Sequence, residues 1–212
     1  MDPTILPATP EQVSLSWHRA KIKFSLWEQI VAFLRWSQDT HKDEAMVTLF
    51  FNDTLNEWAA EVFPQNGVGM TVRLLPGDPE YPILRKKYGK GWVQLGSIHH
   101  HCTMSAFASG TDKDDEGDRD GLHITLGKMD QAKVDIHIRA VFDKMVYDIK
   151  SAYQWIELPA WYGAIPDDYL ELITNDVFVL PASVSFPEEW KARIRPRQHV
   201  TGPYGRTVPS HP

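Results

Sequence analysis

The sequence predicts an α/β domain in which one early helix is followed by a mixed or antiparallel sheet. Apolar residues recur at helical spacing over residues 26–38, and several short β-prone runs follow, one of them alternating cleanly at period two. The 212 residues are enough to bury a sizeable core. We expect the domain to span residues 20–194, between an irregular Pro-containing segment at 1–19 and a Pro- and Gly-rich tail at 195–212.

The early helix is predicted by a capping signal and an apolar stripe. Ser25 and Glu28 have the spacing of a capping box, in which each side chain bonds a backbone N–H of the first turn. The apolar residues behind this signal lie on one helical face: Leu26, Ile30, Phe33 and Leu34.

The remaining elements follow from β-prone runs and turn residues. We predict a hairpin over 45–63 and further strands at 70–75, 92–101 and in three runs between 121 and 150. Short helices are predicted from Pro166 through Ile173 and from Phe186 to about Ile194. Residues 76–91 are read as a long loop, whose length indicates a functional surface element. The acidic segment 109–121 is read as solvent-facing.

Composition excludes several classes of protein. The formal net charge is −6 and the basic residues are mostly scattered, so no broad phosphate-binding surface is expected and nucleic acid is not a predicted partner. The single cysteine, Cys102, permits no internal disulfide. The N-terminus lacks the pattern of a signal peptide and no run of 18 apolar residues occurs, which predicts a cytoplasmic protein without a membrane partner.

Two histidines and an aspartate form a candidate metal site. Side chains two apart in a strand point to the same face, so His99 and His101 are expected to converge while His100 points away. A catalytic zinc uses three protein ligands and an open position, and Asp112 is the candidate third ligand. Ser109 is expected beside it. The proton acceptor has to come from elsewhere in the chain, and Glu44 at the start of the strand AMVTLFF is the best candidate, with rivals at 43, 57 and 61.

These residues carry a family resemblance. The pattern His99-x-His101, seven residues, Ser109, two residues, Asp112 resembles the H-x-H-x(7)-S-x(2)-D signature of the JAMM (JAB/MPN+) zinc metalloproteases, and Glu44 opens an upstream strand as that family's glutamate does. The resemblance covers roughly residues 20–150 and implies a JAB/MPN-like, cytidine-deaminase-like fold with a curved mixed sheet flanked by helices. The chain departs from the family at Cys102 and at Ala108, where proline is common, and in reading EAMV for E-x-C-G.

The resemblance also implies an activity. His99, His101 and Asp112 would bind one zinc ion per chain, Glu44 would act as general acid and base, and Ser109 would hydrogen-bond the oxyanion during amide or isopeptide hydrolysis. The short connection from Asp112 to the next strand resembles the bacterial JAB proteins that are encoded beside ubiquitin-like, activating and conjugating proteins. The expected substrate is therefore a ubiquitin-like protein in its conjugates or precursor. Two alternatives stay open, a non-catalytic MPN-type binding or scaffold protein and a metal-dependent hydrolase of a small molecule.

Other motifs in the same region predict less. The run from Asp112 begins like a calcium-binding loop, but His123 occupies the twelfth position, where a bidentate glutamate is needed. Two H-x-T tripeptides resemble those of two-histidine phosphoesterases, yet only 22 residues separate them and no internal repeat supports that class. We expect His100, His123 and His137 to be solvated or hydrogen-bonded polar positions, and Cys102 to be a buried thiol.

Overall fold

The chain forms an α/β fold in which a mixed sheet is flanked by helices. The computed structural model describes residues 20–67, 71–89, 91–131, 133–157, 178–179 and 184–196. Its helices are α1 (Phe24–His41), α2 (Glu80–Lys87), α3 (Gly110–Glu116) and α4 (Glu189–Ala192), with a 3-10 turn at Ala152–Gln154. Its strands are β1 (Met46–Asn52), β2 (Glu57–Glu61), β3 (Gln65–Gly67), β4 (Val72–Leu74), β5 (Trp92–His100), β6 (Gly121–Gly127), β7 (Lys133–Phe142), β8 (Met145–Ile149) and β9 (Phe178–Val179). The predicted segment 1–19, the helix predicted over 166–173 and the tail beyond residue 196 lie outside the described residues.

The main sheet has the strand order β2-β1-β5-β6-β7-β8, with β9 pairing against β7. Strands β1 and β2 form the predicted hairpin, with Thr48 opposite Glu61 and Asn52 opposite Glu57. Within this sheet β5 and β6 run parallel, whereas each other described pair is antiparallel. The predicted mixed α/β architecture is therefore confirmed at the level of fold class. No described helix is long and apolar enough to cross a membrane.

A bulge in β5 depends on a glycine. The register between β1 and β5 shifts between Thr48 and Phe50, opposite Leu95 and Gly96. Gly96 has φ +135°, and a Cβ atom at this position would lie 2.0 Å from the backbone oxygen of Leu122 on β6. Only glycine allows this approach. The close contact fixes where β6 begins to pair with β5, and thereby the position of the following histidines.

Helix α1 covers one face of the sheet and a smaller cluster covers the other. The apolar stripe of α1 packs on Val47, Leu49 and Ile98 of the central strands. On the opposite face, Phe50 packs with Phe63 and Leu84, and the ring of Tyr88 stacks on Phe50 at 4.1 Å. Burial on both faces explains why the central strands read as continuous apolar runs.

The start of α1 differs from the predicted capping box. The helix begins at Phe24, the N-cap residue is Lys23, and no side-chain hydrogen bond caps it. The backbone N–H of Phe24 instead donates to the Glu157 carboxylate at 3.3 Å, and Ile22 bridges to Ile156. The predicted capping box of Ser25 and Glu28 was wrong, because Glu157, a residue distant in sequence, accepts the hydrogen bond of a backbone N–H in the first turn.

The predicted loop 76–91 contains helix α2. The helix follows the N-cap residue Pro79, and the Asp78 carboxylate accepts a hydrogen bond from the backbone N–H of Glu80 at 2.9 Å. Glu80 lies in the first turn and Arg85, Lys86 and Lys87 in the last, so the charges complement the helix dipole. Pro82 is tolerated because it lies in the first turn, where no intrahelical N–H is required.

The segment after α4 is held against the β3–β4 hairpin. The backbone N–H of Gln65 donates to the carbonyl of Arg193, and that of Arg195 donates to the carbonyl of Gln65. The Arg193 guanidinium pairs with Glu61 and with Glu80, and Arg195 pairs with Asp78 and Glu80. Arg195, the first residue of the predicted tail, is therefore anchored to the domain. The helix expected near Phe186–Ile194 is confirmed, although it is shorter than predicted.

Candidate metal centre

The side chains of His99, His101 and Asp112 converge on one point. Their candidate ligand atoms all lie within 4.8 Å of one another. The two Nε2 atoms are 3.2 Å apart, and they lie 3.3 Å from Asp112 Oδ1 and Oδ2 respectively. The strand alternation predicted this pair, and His100 is indeed on the other face, fully buried. No fourth His, Cys, Asp or Glu belongs to the group among the described residues.

Asp112 lies in the first turn of α3, and Ser109 is the N-cap residue of this helix. The Ser109 Oγ accepts the backbone N–H of Asp112 at 3.1 Å, and the Asp112 carboxylate accepts the N–H of Ser109 at 2.7 Å. This reciprocal pair is a capping box, which fixes the first turn of α3. The acidic segment 109–121, which was expected to face solvent, is helical over Gly110–Glu116. Most of its side chains are exposed as expected, but Glu116 is buried.

The close approach of the three groups favours a bound cation. Burial alone would raise the pKa of the Asp112 carboxyl, but hydrogen bonds from His101 and His99 hold that pKa well below its ordinary value. If both imidazoles donate their Nε2–H to this carboxylate, the two N–H groups face each other at 3.2 Å. A divalent ion between the three donors removes this conflict. The donor set, two imidazole nitrogens and a carboxylate, is one that zinc uses.

Glu44 lies in a cleft beside His99 and Asp112, and its carboxyl group is buried. Only 5% of the residue is exposed, and its Oε1 has no hydrogen-bond partner among the described residues. Burial raises the pKa of this carboxyl to about 7, against the opposing effect of His101 and His99. Glu44 precedes β1 by two residues, so the strand positions it without placing it in the ladder. A carboxyl that titrates near neutral pH is suited to transfer protons.

Two of the rival acids are engaged elsewhere. Glu57 pairs with Lys23 at 2.7 Å, and Glu61 pairs with Lys87 and Arg193. Neither lines the cleft that Glu44, Ser109 and Asp112 share with His99. This cleft has a volume of about 230 Å³, and the β4 strand forms one of its walls.

A buried ion pair behind His99 was absent from the prediction. Glu116, in the last turn of α3, pairs with Arg139 on β7 and lies 3.9 Å from the Nδ1 of His99. Burial raises the pKa of Glu116, and Arg139 opposes this rise. Residues four apart on a helix share a face, so the spacing of Asp112 and Glu116 places both side chains on one face once this segment is helical. That signal was present in the sequence.

The other histidines have structural partners. The Nε2 of His123 bonds the carbonyl of Arg119 at 2.9 Å and its Nδ1 lies 3.1 Å from Ser97 Oγ, while burial lowers its pKa to about 4. His100 accepts the backbone N–H of Cys102, and burial lowers its pKa to about 3. His137 lies 3.4 Å from Asp148. These residues are hydrogen-bonded or paired, as expected, but His100 and His123 are not solvated.

Cys102 is half-buried and is not part of the ligand group. Burial raises the pKa of its thiol to about 11, so the group stays protonated at neutral pH. A metal ligand or nucleophile would need the thiolate. Cys102 therefore fits a structural position beside the ligands.

Comparison with known proteins identifies no family for the chain. No protein-family profile matches it, and no curated protein is similar. Among similar solved structures is the solution structure of protein DSY2949 from Desulfitobacterium hafniense, a structural genomics target. It is 21% identical, covers 66% of this chain and 92% of its own, and has a TM-score of 0.46. A likeness of this degree identifies neither a fold family nor a function.

Proposed function

We propose that this chain is a JAMM-type zinc peptidase or isopeptidase with a JAB/MPN-like domain. Its substrate would be a ubiquitin-like protein, cleaved from its conjugates or from its precursor. The observation that carries the proposal is the convergence of His99, His101 and Asp112 beside Glu44. Glu44 lines one cleft with His99 and Asp112, and its buried Oε1 has no hydrogen-bond partner among the described residues. The order of elements around this cleft also supports it, because helix, glutamate segment, hairpin, histidine strand and Ser-Asp turn follow one another as the resemblance implies.

His99, His101 and Asp112 would hold one zinc ion per chain. When bound, zinc polarises a substrate carbonyl and lowers the pKa of a coordinated water. Among the described residues no fourth His, Cys, Asp or Glu joins the three, so a position would remain for the carbonyl or the water. Glu116 and Arg139 support His99 from behind, and such outer partners orient histidine ligands.

Glu44 would move the proton. Its carboxyl can accept a proton from water that enters the cleft and donate it to the leaving amine. A pKa of about 7 allows both steps at neutral pH, because neither the acid nor the carboxylate form is then rare. The solvent-poor position of the group would keep the proton close to the reacting atoms.

Ser109 would stabilise the oxyanion. Its Oγ uses a lone pair to accept the Asp112 backbone N–H, so its hydroxyl hydrogen remains available to donate. Helix capping fixes the position of this hydroxyl before substrate arrives, which is the condition for effective electrostatic stabilisation. The structural and catalytic roles of Ser109 are therefore compatible.

Two measurements test the proposal. Zinc is titrated into chelator-treated protein, where we expect one equivalent for the wild type and none for His99→Ala, with His41→Gln as a control histidine. Cleavage is followed by mass spectrometry on a linear fusion of a ubiquitin-like protein to a fluorescent protein and on a lysine-linked conjugate. We expect cleavage by the zinc-loaded wild type, and none by Glu44→Gln or after addition of chelator.

The outcomes separate the three classes of function. One equivalent of zinc without cleavage of a fusion, conjugate or peptide would favour the scaffold alternative. Hydrolysis of small amides at a rate that a folded protein substrate does not improve would favour the small-molecule hydrolase. Cleavage that survives both chelator and Glu44→Gln would refute the assigned roles altogether.

A further inference from the structure

A second cavity continues the metal cleft into a groove. This cavity has a volume of about 720 Å³ and shares Met46, Leu74, Ser97 and Arg119 with the cleft that contains the metal-ligand group. Its outer part is formed by α2 and by the first half of β5. A polypeptide segment that crosses the metal centre therefore has a route onward between these elements.

The charged groups that face this groove are mostly arginines without acidic partners. Arg85 of α2 and Arg119, just beyond α3, both line it from different elements. Within the described residues neither lies within 4 Å of a carboxylate, whereas Arg139, Arg193 and Arg195 each pair with one. The contrast is informative in a chain with 28 acidic and 22 basic residues, because acidic groups to neutralise these two arginines are plentiful elsewhere on the protein.

The two arginines are held in place by neutral contacts. The Arg85 guanidinium donates to Gln94 Oε1 of β5 at 2.6 Å, which directs it across the groove. The carbonyl of Arg119 accepts a hydrogen bond from the buried His123 at 2.9 Å, if that nitrogen carries the proton, and this fixes the turn that presents Arg119. Neither contact neutralises the positive charge.

The rest of the lining is about equally apolar and polar, and the apolar groups lie together. Leu74, Pro76 and Tyr81 line the groove on the side of β4 and α2. Asp120 is the acidic residue of this second cavity, and its Oδ1 accepts the backbone N–H of Asp143. The groove thus offers two arginines against one aspartate beside an apolar wall.

We propose that this groove binds an extended, acidic segment of the protein substrate next to the scissile bond. Carboxylates of that segment pair with Arg85 and Arg119, and apolar side chains between them contact Leu74 and Tyr81. Arginine forks suit carboxylates particularly well. The inference rests on the proposed function for the presence of a scissile bond, but the charge preference of the groove can be measured without cleavage.

The test measures binding to Glu44→Gln, so that no turnover interferes. Three fluorescein-labelled eight-residue peptides are compared by anisotropy at low salt: one alternates leucine with glutamate, and the other two replace each glutamate with glutamine or with lysine. We expect the glutamate peptide to bind about fivefold more tightly than the glutamine peptide, and the lysine peptide to bind most weakly. Since exposed ion pairs are screened, the preference should shrink severalfold in 0.5 M salt.

Variants assign the preference to the groove. Adding Arg85→Gln or Arg119→Gln should reduce the discrimination between the glutamate and glutamine peptides about two- to fivefold each. Lys86→Gln removes the same charge from the neighbouring α2 residue, which does not line the groove, and should leave the preference intact. Equal binding of the three peptides, a preference that survives both arginine variants, or no measurable binding of any peptide would overturn the inference. Acid-selective binding by a protein that cuts no substrate would instead retain the groove and reject the peptidase.

Discussion

Replacing Glu44 with glutamine should stabilise the metal-free protein while abolishing its activity. The buried carboxyl lacks a partner for Oε1, and its pKa is raised from 4.5 to about 7. Glutamine has nearly the same shape and carries no charge at any pH. The two effects of one substitution therefore have opposite signs, which a purely structural role for Glu44 would not produce.

The magnitude follows from the two pKa values. Between pH 4.5 and about 7 the folded protein retains a proton on Glu44 that the unfolded chain has lost. The contribution of this group to stability is thus highest below pH 4.5 and falls as the pH rises to about 7. At 1.36 kcal/mol for each pKa unit the full difference is ~3 kcal/mol. Because the cleft communicates with solvent, we reduce this to ~1.5 kcal/mol of extra stability for Glu44→Gln at pH 8.

The assay is urea denaturation of chelator-treated wild type and Glu44→Gln at pH 5 and pH 8. The free energy of unfolding of the variant should exceed that of wild type by more at pH 8 than at pH 5. Glu189→Gln, an exposed glutamate of α4, serves as the control and should show no such gain. A difference between wild type and Glu44→Gln that is equal at both pH values would refute the raised pKa, and with it the reasoning that Glu44 is poised for proton transfer.

Three further predictions concern the framework of the site. Ser109→Ala should destabilise the protein by ~1 kcal/mol in urea through loss of the helix cap, and should lower kcat at least tenfold on any substrate that is cleaved. Gly96→Ala should cost more than ~3 kcal/mol, because its Cβ would meet the Leu122 carbonyl; an unchanged denaturation midpoint would contradict this. Arg139→Met should cost ~3–5 kcal/mol by leaving the Glu116 carboxylate buried alone, and the double variant with Glu116→Leu should recover most of that loss.

The parts of the site that could be predicted are those that local geometry decides. Alternation along an extended strand places His99 and His101 on one face whatever surrounds them, and their Nε2 atoms lie 3.2 Å apart in the structure. The hairpin of β1 and β2 was predictable because two β-prone runs flank a turn. Predicting the position of Asp112 also required the helix that follows the N-cap residue Ser109.

The parts that could not be predicted depend on distant partners. Glu157 satisfies the first turn of α1, so the local signal at Ser25 had no role. Glu116 lies in an acidic run that suggests exposure, yet Arg139 from β7 makes its burial possible. The acidic first turn and basic last turn of α2 are typical of a helix, but Pro82 favoured the interpretation of this segment as a loop. For the start of α1 and for Glu116, a tertiary contact outweighed the local preference.

The site carries costs that a scaffold would not require. The buried Oε1 of Glu44, which has no hydrogen-bond partner among the described residues, and the two imidazole nitrogens 3.2 Å apart oppose folding in the absence of a cation. An apolar side chain at position 44 would relieve the first cost without disturbing β1, whose ladder begins at Met46. Strain of this kind persists where function needs it. These costs are consistent with the proposed role of Glu44 in proton transfer, and the opposite effects expected for Glu44→Gln on stability and on turnover put that proposal to a direct experimental test.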